Sequence, residues 1–153
     1  DLRQAAQNTF DHYDAQSGSA RSIAISLYDM SKIDALADSY RRIMTVNTEP
    51  AAGYTQQQYG YGSTYRNRFY DFAHYVKSLT DDPSLLGAFD RCMKDFVLYT
   101  DNTPSMWDGE INLINCNGVS SYIITRTDDN VASTKGYYDL KWWNDVVSPA
   151  FGK

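Results

Sequence analysis

The sequence predicts an α/β fold: a mainly parallel sheet flanked by helices, followed by a small helical C-terminal region. Two observations carry this expectation. Residues 22–42, "SIAISLYDMSKIDALADSYRR", change from a strand pattern to a helical one within two residues of Asp29, and strand, tight turn and capped helix make half of a βαβ unit. Two more amphipathic helical stretches come later, near 65–80 and 84–98, while further strand candidates are scarce. A strand–helix unit implies parallel neighbours, so the remaining strands of such a sheet must come from elsewhere.

The first element is a helix. Leu2, Ala5, Ala6, Phe10 and Tyr13 recur at near-helical spacing, up to the Ser/Gly-rich turn "QSGSAR". In "SIAISLYD", Ile23, Ile25 and Leu27 alternate with Ser22, Ala24 and Ser26. One face is apolar and the other small, which leaves room for close packing, as of a helix over a parallel sheet. The next helix carries one continuous stripe of Ile33, Leu36, Ala37, Tyr40, Ile43 and Met44. Either Asp29 or Ser31 can cap it, and Ser31 with Asp34 resembles a capping box.

Residues 47–64 form a Gly/Tyr/Gln-rich loop without apolar period. Beyond it, Tyr65, Phe69, Phe72, Ala73, Val76 and Leu79 predict a second amphipathic helix over 65–80. "TDDPS" is a helix-start signal with Pro83 near the first turn, and Leu86, Phe89, Cys92, Met93, Phe96 and Val97 predict a third helix. "INLINCNGVSSYIITR" holds strand candidates near 111–115 and 119–125, broken at Asn117-Gly118. The end, "GYYDLKWWNDVVSPAF", reads as a short helix with Leu140, Trp143, Val146 and Val147 inward. The chain thus divides into a strand–helix unit over 1–48, a loop over 49–64 and a helical region with a strand pair over 65–153.

Length and composition bound the function. A chain of 153 residues with 42% hydrophobic and 22% charged residues is one globular domain with a real core. A net charge of −5 argues against a nucleic-acid face. No apolar run approaches the roughly 18 residues of a membrane span. A start at Asp1, without Met, points to a processed or truncated chain with any export signal upstream. Cys92 and Cys116 are too few for a disulfide framework. His12 and His74 have no metal-ligand spacing, and no cofactor is expected.

Each chemical candidate has a plain structural explanation beside it. Asp29 ends a strand, where open parallel sheets bind ligands, and capping a helix accounts for it equally. Cys92, in "FDRCMKDF", would need a base and oxyanion donors to act as a nucleophile. It shares a helical stripe with Phe89 and Phe96, where a small buried hydrophobe belongs. His74 lies inside a predicted helix, and Cys116 lies at a turn. With 13 Tyr, 6 Phe and 3 Trp, the chain could present an aromatic binding surface through Tyr54, Tyr59, Tyr61 and Tyr65, or simply a surface loop. Trp142 and Trp143 point about 100° apart on a helix, one to the core and one half-exposed.

The order of motifs resembles that of the clostripain-like cysteine peptidases. "SIAISLYDMSKIDALADSY" is similar to that family's "lSxxDlskl" strand–helix unit, and "RFYDFAHYVKSL" to its "xxDlxdfaxxL" helix. "NCNGVSSYIITR…YYDLKWWNDV" is similar to its closing "xGlSxYxP…Yxxlxxxxxw" stretch, with Thr125-Arg126 where a proline is common. The resemblance covers most of residues 20–147. It implies a caspase- and gingipain-like sheet whose catalytic His, in an "HG" motif, and Cys, in a "DxCxM" motif, both precede the matched region. "DRCMKD" comes after no strand, and the chain has no "HG". The expected catalytic set in this chain is therefore none. The chain reads as the C-terminal, non-catalytic part of a secreted, periplasmic or cell-surface endopeptidase. Its partners would be the upstream catalytic segment and a peptide or protein substrate. The family's preference for a basic residue before the scissile bond implies acids that read it near the catalytic half, and Asp29 is the only strand-end candidate for one in this chain. Alternatives are a secreted binding module using its Tyr/Trp surface, or an inactive peptidase homologue. The strand's Ile23, Ile25 and Leu27, or the stripe of helix 31–45, would face the missing catalytic segment.

Overall fold

A computed structural model of the chain describes residues 1–17, 23–48, 58–59, 69–106, 111–114, 116–122 and 136–151. Helix α1 (Leu2–Asp14) begins where the Asp1 carboxylate accepts the Arg3 N–H at 2.9 Å, a charged cap on unsatisfied amides. Strand β1 (Ala24–Tyr28) leads through a 3₁₀ turn, Met30–Lys32, into α2 (Ile33–Val46). Asp29 caps that turn. Its Oδ1 accepts from Ser31 N at 2.9 Å and Ser31 Oγ at 2.7 Å. Ser31 is thus a donor to the cap rather than the cap itself.

The remaining described elements are β2 (Gln58–Tyr59), β3 (Phe69–Asp71), α3 (Phe72–Lys77), α4 (Pro83–Phe96), β4 (Val97–Asn102), β5 (Ser105–Met106), β6 (Ile111–Asn112) and β7 (Ser120–Tyr122). Their sheets run β1-β4, β2-β3-β7 and β5-β6, and every described pairing is antiparallel. The expected mainly parallel sheet is therefore not formed by these residues. β1 instead pairs with β4, Ile25 opposite Asp101 and Leu27 opposite Tyr99. The apolar spacing extends the third helix through Val97 and suggests a turn after it, yet the chain enters β4 there. Val97, Leu98, Tyr99 and Thr100 are apolar, aromatic and β-branched residues that suit a pleated strand. The Asp29 N–H, donating to Phe96 O at 2.8 Å, fixes where helix gives way to ladder.

Two other expectations are corrected. The helix predicted over 65–80 starts only at Phe72, because Phe69–Asp71 pair with β7 and the Asp71 carboxylate caps the helix through His74 N at 2.9 Å. Its stripe survives in short form: Phe72, Ala73, Val76 and Leu79 are buried. At the C-terminal end a 3₁₀ turn (Tyr137–Asp139), a π-helical turn (Trp143–Val147) and a second 3₁₀ turn (Ser148–Phe151) replace one helix. Trp143, Val146 and Val147 are buried, whereas Leu140, extended at ψ 139°, is 49% exposed. Of the two strand candidates, only Ile111–Asn112 and Ser120–Tyr122 are strand; residues 115 and 123–125 lie outside the described set.

One hydrophobic core joins α2, α3 and α4 to the C-terminal turns. The α2 residues Leu36, Tyr40 and Ile43 meet Phe72, Phe89 and Trp143. Phe72 stands edge-on to Tyr40 at 5.0 Å and to Phe89 at 5.6 Å, a favoured aromatic geometry. Burial of each such side chain is worth about 1.5–3 kcal/mol before entropy is counted. The α2 stripe is thus covered by this chain itself, and the expectation that it faces another polypeptide does not hold. β1 is different. Ile23, Ile25 and Leu27 are only half-buried.

Candidate functional site

The carboxyl end of β1 carries the candidate carboxylate, Asp29. Asp29 is half-buried, and Ser31 holds its carboxyl below the ordinary carboxylate range, chiefly through the hydroxyl and then the backbone N–H. Both bonds go to Oδ1. Among the described residues nothing donates to Oδ2. The group therefore has an ionised oxygen with spare acceptor capacity at a strand end.

The preceding residue is tied down from two sides. The Tyr28 ring stacks on Phe96, centroids 4.9 Å apart at 8°, and its hydroxyl donates to the Gly118 carbonyl. Gly118 adopts φ +85°, a left-handed conformation natural to glycine. A Cβ there would overlap the Thr100 hydroxyl, and would lie 2.7 Å from Thr100 Cβ and 2.9 Å from Ser26 Oγ. The small face of β1 does accept a close neighbour, as its Ala/Ser pattern implies. The neighbour is a glycine turn rather than a helix.

Asp71 anchors that turn from the far side. Its side chain is fully buried. Oδ2 accepts from Asn117 N at 2.6 Å, and Oδ1 from Asn117 Nδ2 at 3.0 Å and His74 N at 2.9 Å. Phe72 N donates to Val119 O at 2.8 Å, continuing the β3–β7 ladder. A buried carboxylate is tolerated because donors surround it. In the sequence Asn117-Gly118 marks only a break, and nothing singles out Tyr28 for a role. Asp71 carries two signals, its place ahead of the apolar run "FAHYV" and within the stretch that resembles the "xxDlxdfaxxL" helix, and neither tells of its bonds to Asn117.

The other candidates resolve into structural roles. Cys92 is partly buried and packs against the core, and no disulfide joins it to Cys116. His74 sits in the first turns of α3, its backbone N–H on Asp71. Trp143 is buried and Trp142 half-buried, as their spacing implies. Tyr54, Tyr61 and Tyr65 lie outside the described residues, as does the Tyr59 side chain. Among the described residues, no group of three His, Cys, Asp or Glu could hold a metal ion, and no helix is long and apolar enough to cross a membrane. Tyr40, Tyr75, Tyr122, Tyr137, Trp142 and Phe151 ring a cavity with room for about one water molecule. That is a half-open concavity beside the core, too small for a ligand. Burial pushes the Tyr75 phenol up to about 12.

Several solved structures share this arrangement of elements. An inactive zymogen C11 protease from Parabacteroides distasonis superposes with a TM-score of 0.76 at 24% identity, over 95% of this chain and 43% of that one. A clostripain from Bacteroides thetaiotaomicron, in complex with the peptide inhibitor BTN-VLTK-AOMK, gives 0.78 at 23% identity, over 94% and 63%. A secreted C11 cysteine protease from the same species gives 0.75 at 23%, over 94% and 40%.

This is the fold of the C11, clostripain-like cysteine proteases. The likeness to the clostripain fold agrees with the order of sequence motifs and extends over nearly the whole chain. The chain spans only 40% to 63% of the length of those proteases. No protein-family model matches the sequence, and no curated protein does.

Proposed function

We propose that the chain is the C-terminal, non-catalytic part of a clostripain-like cysteine endopeptidase. In this reading an upstream segment carries the catalytic Cys and His, joins its parallel strands to β1, and is exported with this part. Asp29 stands on the substrate side.

The open edge of β1 carries the reading. Ile23 O accepts from Thr103 N at 2.9 Å, and Asp29 N donates to Phe96 O at 2.8 Å. The odd-numbered residues of β1 therefore turn their backbone groups toward β4, and Ala24, Ser26 and Tyr28 turn theirs outward. Among the described residues no strand pairs with that side. The far edge of β4 is treated differently: the Arg3 guanidinium donates to Leu98 O at 2.6 Å, under α1. A charged side chain on an edge blunts pairing, which favours growth of the sheet through β1. The solved C11 proteases are longer than this chain by enough to supply further strands.

Asp29 suits a basic residue because its carboxylate is ionised and half-open. The clostripain inhibitor's VLTK peptide ends in lysine, which supports that substrate class. The test is cleavage of Lys- and Arg-containing peptides by the protein with and without its upstream segment. The expected result is turnover only with that segment present, weakened by Asp29→Ala. Turnover by residues 1–153 alone would overturn the reading.

A further inference from the structure

We propose that Asp71 is a positioning residue for the substrate side of this peptidase, acting on Asp29 through the 116–119 turn and Tyr28. The inference rests on the role proposed above for Asp29.

Capping α3 needs only one oxygen, and Oδ1 supplies it to His74 N at 2.9 Å. The rest of the carboxylate is spent elsewhere. Oδ2 accepts the Asn117 N–H at 2.6 Å, and Oδ1 also takes the Asn117 side-chain amide at 3.0 Å. Because Asp71 itself has no exposed surface, these charge-assisted bonds are partly shielded from water and directional. They hold one side of the turn.

The other side is held by fit. Gly118 lies against Ser26 and Thr100 with no room for a Cβ, and its carbonyl receives the Tyr28 hydroxyl. Tyr28 precedes Asp29 directly and stacks on Phe96, whose carbonyl takes the Asp29 N–H at 2.8 Å. The path from Asp71 to Asp29 therefore runs through hydrogen bonds and covalent bonds without a gap. Its midpoint rests on the paired strands β1 and β4. Misplacing a substrate-binding group by about 1 Å costs on the order of a hundredfold in rate, so a clamp of this kind has a functional consequence beyond stability.

The test uses the protein with its upstream segment, acting on peptides cleaved after Lys or Arg. Wild type, Asp71→Asn, Asp29→Ala and the double variant are compared. Asparagine keeps the shape of Asp71 but cannot satisfy all three donors. The expected result is a fall in kcat/KM of about tenfold, mostly through KM, when Asp29 is present, and of less than about twofold once Asp29 is alanine. Effects that simply multiply would make Asp71 a structural residue and overturn the inference while leaving the role of Asp29 intact. Tyr28→Phe cuts the same path without disturbing a buried charge; it should show the same non-additivity and decides the matter if Asp71→Asn fails to fold. An Asp29→Ala variant with unchanged kcat/KM removes the premise and overturns both readings.

Discussion

Gly118→Ala asks for a methyl group where the fold leaves no space. At φ +85° an L-residue loses about 1–2 kcal/mol through the clash of Cβ with the backbone. The packing adds to this. The new Cβ would lie 2.7 Å from Thr100 Cβ and 2.9 Å from Ser26 Oγ, inside van der Waals contact, and both neighbours belong to the paired strands β1 and β4. Forcing a strand pair aside costs about 1–3 kcal/mol by analogy with overpacked cores. The total is about 2–5 kcal/mol, read as a lower urea midpoint at unchanged m-value. Adding Thr100→Ala removes the hydroxyl but not the Thr100 Cβ. It should recover part of the steric loss, about 1 kcal/mol, and none of the dihedral cost. A loss below about 0.5 kcal/mol for Gly118→Ala, the range of an ordinary surface change, would refute the close approach. So would a Thr100→Ala effect that only adds to the damage.

Burial, the first cause in each case, raises Tyr75 from 10.0 to about 12 and Tyr40 well above 10.0. Because the folded values exceed the unfolded one, this stability is complete below pH 10 and drains away as pH rises through about 12. Urea midpoints measured across the alkaline range check it, and an unchanged midpoint while every phenol ionises at its ordinary value would contradict it. Cys92→Ala, at a partly buried helical position, should cost about 1 kcal/mol of stability and leave cleavage by the protein with its upstream segment unaltered; lost turnover in a folded variant would make Cys92 the nucleophile.

Periodicity is the part of this fold that can be read from the sequence. The α2 stripe from Leu36 to Met44, the apolar positions of α4 and the strand at Ile25 are all legible, because one buried face imposes a spacing. β4 is not. "FVLYTDN" continues a helical stripe through Val97 and enters a strand without a Gly or Pro between, so the boundary is set by pairing with β1, a tertiary fact. The same limit hides the start of α3, where Phe69 and Phe72 share a helical spacing although Phe69–Asp71 belong to a ladder. Asp29 is legible because it is local to its strand and turn. Asp71 and Tyr28 act across separations of 46 and 90 residues, which no local pattern encodes.

The unequal edges of the β1–β4 pair give the proposed assembly a direction. α1 packs across both strands, but the Arg3 guanidinium occupies Leu98 O on the β4 edge. Among the described residues no strand pairs with the outward N–H and C=O groups of Ala24, Ser26 and Tyr28 on the β1 edge. A parallel partner docking there would run alongside β1, so its carboxyl end would come to lie beside Tyr28 and Asp29. In open α/β sheets the ligand crevice lies beyond the carboxyl ends of neighbouring strands. A nucleophile at the end of the incoming strand would thus share the crevice with the Asp29 carboxylate. Each side would supply one function, chemistry from the upstream segment and charge from this one. The clamp of Asp71, Gly118 and Tyr28 is then where it has most effect, since it fixes the one strand end that must meet another segment in register.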